Sequence, residues 1–150
     1  MRMAWIFVHR MSSYIRYHDV MERDLLFTCY CRGTWAACCD SLGRIIVLDL
    51  PSISIFRMFK GYRDAQIAWV TVQSRETPLL LIYAPKRRVV ELWDILQGKR
   101  LVSTSKGIPE KGILIYRTHW EHSVSNTKVM LLDVHRLCLL QLDNTVCSAV

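Results

Sequence analysis

The chain has 150 residues, 51% of them hydrophobic and 22% charged, with a formal net charge of +7 and a pI near 9.3. That length suits one ordinary domain, and the apolar content excludes a disordered, collagenous or coiled-coil chain. The positive charge permits anionic partners and by itself assigns no activity.

Residues 1–24 carry no clear pattern and are left unassigned. Their apolar core, Ala4 to Val8, falls short of the about 7–15 residues of a secretory signal and the about 20 of a membrane span. The expectation is a cytoplasmic chain whose six cysteines (Cys29, Cys31, Cys38, Cys39, Cys138 and Cys147) stay reduced.

From residue 25 onward the apolar residues fall in short, dense runs bounded by Gly, Pro, Asn, Asp and Ser, which predicts strands throughout. In chain order the runs are 25–31, 35–39, 44–50, 53–58, 66–72, 79–83, 88–93, 100–103, 112–116, 127–132 and 136–142. Three predicted strands end in aspartate after similar apolar residues: Arg44–Asp49, Val89–Asp94 and Lys128–Asp133, which begin 45 and 39 residues apart. The second ends in Trp93-Asp94. Repeats of about 40–45 residues with this dipeptide mark propeller blades. The order of strand, hairpin, Asp-ended strand, turn and outer strand predicts one four-stranded blade per copy, with outer strands at 53–58, 100–103 and 136–142. The predicted fold is therefore all-β. Residues 25–150 form a partial WD-repeat-like β-propeller of about three four-stranded antiparallel blades, each Asp-ended run third in its blade. Three blades leave two apolar faces open, so the expectation is a fragment of a larger ring.

Two loops stand out as contact candidates. Lys60-Gly61-Tyr62-Arg63-Asp64 follows an outer strand, where Tyr62 and Arg63 can present an aromatic and guanidinium surface. An internal latch, with Asp64 paired to a neighbouring blade and Tyr62 packed, is the competing reading. Lys86, Arg87 and Arg88 follow Pro85 in a hairpin and suit an acidic partner or anionic headgroups, or a solvated turn.

No metal, cofactor or catalytic residue is expected. Cys38 and Cys39 are adjacent in a strand and point to opposite faces, unlike the paired ligands of a zinc site. His119 and His122 are three apart, whereas a zinc-protease helix needs four. Neither a phosphate-binding GxxxxGK[ST] loop nor a GxSxG elbow occurs.

The stretch Ala36–Asp49, then Ile53–Trp69 with its Arg57-Met-Phe-Lys-Gly-Tyr-Arg-Asp-Ala-Gln66 core, resembles the N-terminal propeller region of the Rab-3 GTPase-activating protein non-catalytic (regulatory) subunit family. A second similar stretch runs from Leu81 through Trp93-Asp94 to Gly98, so the resemblance covers about Thr34 to Val102. It implies a regulatory subunit that joins a separate catalytic subunit, which carries the catalytic arginine. It also implies a role in Rab GTPase regulation in vesicle and membrane traffic, indirect contact with the Rab protein, and peripheral association with endoplasmic reticulum or vesicle membranes. No nucleic acid is expected. The competing expectation from composition is a stand-alone basic β module that binds anionic lipid or nucleic acid, betrayed by strongly salt-dependent binding.

Overall fold

The computed structural model describes residues 26–29, 34–71, 79–121 and 124–142. The segment 1–24, Cys31, Cys147 and His122 lie outside them. Among the described residues eleven strands run in chain order: β1 (Leu26–Cys29), β2 (Trp35–Cys39), β3 (Arg44–Asp49), β4 (Ser54–Lys60), β5 (Gln66–Val70), β6 (Leu79–Ala84), β7 (Val89–Asp94), β8 (Lys99–Thr104), β9 (Gly112–Glu121), β10 (Val124–Asp133) and β11 (Cys138–Gln141). They form two four-stranded antiparallel sheets, β1-β2-β3-β4 and β5-β6-β7-β8, and a three-stranded sheet, β9-β10-β11. These are blades of a β-propeller. Strand β5 lies beside β1 and β2 on one side and beside β9 and β10 on the other, so the first strand of each blade is the innermost.

Backbone detail repeats from blade to blade. A left-handed residue stands immediately before each third strand: Gly43, Arg88 and Leu137, with φ of 77°, 51° and 53°. Another precedes each fourth strand, Ile53 and Gly98. The ladders β3–β4 and β7–β8 both shift register after the fourth residue of the third strand, at Val47/Leu48 and Leu92/Trp93. Such bulges kink the outer strand and increase the local twist.

The repeat also corrects the third copy. Lys128–Asp133 lies in β10, the second strand of its sheet and not the third, and the run 136–142 supplies the third strand β11 and not an outer one. The terminal aspartate marks a turn rather than a strand number. Asp133 Oδ1 accepts from the backbone N–H groups of His135 and Arg136 at 2.9 and 3.1 Å, as Asp40 Oδ1 accepts from Arg44 N–H at 2.8 Å after a second strand. Asp94 Oδ1 accepts from Gln97 N–H at 3.0 Å after a third strand. A short carboxylate caps either kind of turn equally well.

The central blade is buried on both faces. Ile67, Trp69, Leu80 and Ile82 pack on Ala37, Ile45, Val47 and Phe59 of the first blade. The alternate positions Ala68, Val70, Leu79, Leu81 and Tyr83 pack on Leu114, Val129 and Leu131 of the third. This explains the unbroken apolar run Leu79-Leu-Leu-Ile-Tyr-Ala84, every residue of which is buried. A strand covered on both faces has no polar alternation to show.

Candidate interaction surface

Because successive strands alternate direction, the hairpins between second and third strands (40–43, 85–88, 134–137) and the linkers between blades (61–65, 105–111) share one end of the arc. That end carries Arg44, Lys60, Arg63, Lys86, Arg87, Arg88, Lys106, Lys111 and Arg136 against Asp40, Asp64, Glu110 and Asp133. The turns 50–53 and 95–98 at the opposite end carry no charged residue.

The two loops singled out in the sequence meet here. Lys86 Nζ lies 3.3 Å from Asp64 Oδ2, and the Arg87 guanidinium sits 5.0 Å from the centre of the Tyr62 ring. Tyr62 is buried, its ring edge-on to Phe59 and its backbone N–H donating to Gly43 C=O at 2.8 Å. Gly43 is required at that point: a Cβ there would stand 2.9 Å from Arg63 N. The geometry is that of the latch, closing the first blade onto the second. Lys60 and Arg63 remain exposed and form no ion pair among the described residues, while Arg88 Nη2 reaches Glu110 Oε2 at 2.9 Å.

At the bottom of the latch lies a residue that sequence reasoning missed, Glu91 of β7, only 1% exposed. Its Oε2 accepts from Tyr62 OH at 2.5 Å and Trp93 Nε1 at 3.0 Å. Its Oε1 accepts from Arg100 Nη1 at 3.0 Å, with Arg87 Nη2 at 3.9 Å. Burial is the largest influence on its carboxyl and opposes ionisation. The hydrogen bonds from Tyr62, Trp93 and Arg100, with the charge of Arg87, outweigh it and hold the group below its ordinary value. Burial, then the bond to Glu91, pushes the Tyr62 phenol up, so it stays a donor. The signal was available in Val89-Val-Glu-Leu-Trp93, where a carboxylate interrupts an otherwise apolar buried strand.

Among the described residues no three His, Cys, Asp or Glu side chains converge as metal ligands, and no helix is long and apolar enough to cross a membrane. Cys38 and Cys39 are both buried free thiols, whereas Cys138 is exposed. Burial first, then Cys38 and Asp40, pushes the Cys39 thiol up to about 12. Burial and Asp40 also raise Cys38. At pH 8 a thiol of that kind is ionised to only about one part in 10⁴, and the thiolate is the nucleophile. Maleimide labelling of the folded chain, mapped by mass spectrometry, should modify Cys138 at least about a hundredfold faster than Cys39, a difference that disappears in denaturant.

Comparison with known proteins gives the family of the chain. The model of the family described as Rab3 GTPase-activating protein regulatory subunit N-terminus matches residues 21–111, through the first two blades to the linker before β9. The Rab3 GTPase-activating protein regulatory subunit of Caenorhabditis elegans is 39% identical over 69 residues, which is 45% of this chain and 5% of that protein. The β-propeller domain of Myceliophteria thermophila Cps50 (Swd1) aligns over 83% of this chain and 38% of its own, at 18% identity and a TM-score of 0.47. With more than half of its length matched by the family model, the chain belongs to the Rab3 GTPase-activating protein regulatory subunit N-terminus family.

Proposed function

We propose that the chain acts as a non-catalytic, scaffolding segment of a Rab GTPase-activating complex, serving membrane traffic from the cytoplasm and contacting a separate catalytic subunit. The observation that carries this reading is the family match over residues 21–111, to a protein named as a regulatory subunit. The Lys60–Asp64 linker is the proposed contact. Tyr62 and Asp64 are occupied by the latch, so Lys60 and Arg63 are the members free to meet an acidic surface of the partner.

A GTPase assay and a pull-down test the reading together. The chain alone should leave the hydrolysis rate of a Rab protein unchanged, whereas an inserted arginine finger is worth about 10³–10⁵ in rate. An acceleration of that size would overturn the non-catalytic role. In titrated pull-downs with the catalytic subunit, Lys60→Glu/Arg63→Glu should bind more weakly at unchanged thermal stability. Equal binding would reduce Lys60 and Arg63 to solvated linker residues, because a charge at a contact rim alters association and its salt dependence.

A further inference from the structure

The basic end of the arc also presents apolar side chains at its projecting tips. Leu42, in the hairpin between β2 and β3, is 66% exposed, and Leu137, in the matching hairpin between β10 and β11, is 81% exposed. Between them the hairpin of the central blade carries Lys86, Arg87 and Arg88. Leu137 occupies the left-handed position that glycine fills in the first blade, at φ 53° against 77° for Gly43. A leucine there accepts backbone strain and an exposed apolar side chain together. Exposed Ile53 and Leu96 stand in turns of the opposite end, where the cations beside them among the described residues are Arg57, whose Nε donates to Ile95 C=O at 3.0 Å, and Lys99 at the start of β8.

We propose that this end docks on an anionic membrane surface. Lys86, Arg88, Lys106, Lys111 and Arg136 would face the headgroups, and the Leu42 and Leu137 tips would enter the interfacial region. The cations are spread over hairpins and linkers along the whole end rather than gathered around one cleft. The apolar groups stand at hairpin tips rather than in a groove. A broad anionic plane with an apolar layer beneath it complements both features at once. This inference does not depend on the contact proposed for Lys60 and Arg63, and it needs no catalytic subunit for its test.

The experiment is flotation of the 150-residue chain with vesicles of phosphatidylcholine alone or with added phosphatidylserine, across a salt series. The chain should float with the anionic vesicles only. Lys106→Glu/Lys111→Glu/Arg136→Glu should weaken that binding at least about tenfold and flatten its salt dependence. Leu42→Ser/Leu137→Gly keeps the charge and relieves the strained φ, so it should remain folded and still bind at least about fivefold more weakly. Ile53→Gly/Leu96→Ser, at the opposite end, should bind as the parent does. Indifference to phosphatidylserine would overturn the proposal, as would equal losses from both tip pairs. Unchanged binding of Leu42→Ser/Leu137→Gly would also overturn it and favour an acidic protein surface as the partner.

Discussion

Replacing Glu91 by alanine should lower the stability of the chain by about 3 kcal/mol, a large fraction of what a domain of this size possesses. The carboxylate is 1% exposed and accepts from Tyr62, Trp93 and Arg100. Its removal strands the buried Tyr62 hydroxyl, for which water has no ready access. Arg100 and Arg87 are about half exposed and recover much of their hydration, so the loss falls mainly on Tyr62 and Trp93. Glu91→Gln should cost less, since an acceptor oxygen remains beneath the tyrosine. The pH dependence gives a second readout. The carboxyl is held below its ordinary value in the folded chain, so the unfolded chain takes up its proton first as pH falls. Its contribution is complete above the ordinary carboxylate range and is lost as pH falls through the folded value. Urea titrations between pH 7 and pH 3 should therefore show parent and Glu91→Gln converging toward acid. Parallel stability curves would mean that the network carries no net charge-dependent stabilisation.

That network also marks the boundary of what the chain spells out locally. The hairpins β2–β3 and β6–β7 were legible because each joins two dense apolar runs across a short polar turn. Two loops with contact chemistry were legible as well, Lys60–Asp64 and Lys86–Arg88. Their meeting was not, because the Lys86–Asp64 and Arg87–Tyr62 contacts join different sheets, and strand alternation says nothing of which sheet covers which. Tyr62 illustrates the cost: an aromatic beside a glycine in a basic loop looks available, yet the ring is spent closing one blade on the next. The third repeat failed for another reason. Strands β9 and β10 are ten residues each and pair through a long hairpin, so the apolar run ending at Asp133 falls one strand earlier than in the preceding copies. The glycine-like position before each third strand would have fixed the register, but in the second and third blades it is filled by Arg88 and Leu137. Left-handed residues other than glycine leave no simple trace in sequence.

Tyr83→Ala should be comparably damaging at the other junction, with an expected loss of about 3–5 kcal/mol. Tyr83 closes the central blade against the third as Tyr62 closes the first against the central one. Its side chain is fully buried among Leu114, Val129 and Leu131, and its hydroxyl donates to Pro109 C=O, in the linker before β9, at 2.8 Å. The packing is close: a Cβ on Gly112 would stand 2.8 Å from the Tyr83 oxygen and 3.0 Å from Leu131. Alanine therefore removes both the ring's burial and the bond that holds the linker, leaving a cavity walled by strands that cannot collapse independently. Tyr83→Phe separates the two contributions. It keeps the ring and should cost only about 1 kcal/mol, the net worth of one hydrogen bond with the Pro109 carbonyl left to find another donor. Hydrogen exchange supplies the spatial test. In Tyr83→Phe, protection should fall first in β9 and the 105–111 linker, while β2 and β3, whose Ala37, Ile45 and Val47 belong to the other core cluster with Tyr62, keep theirs. Uniform loss across all three blades would show instead that the arc unfolds as one cooperative unit, with the two tyrosine junctions inseparable.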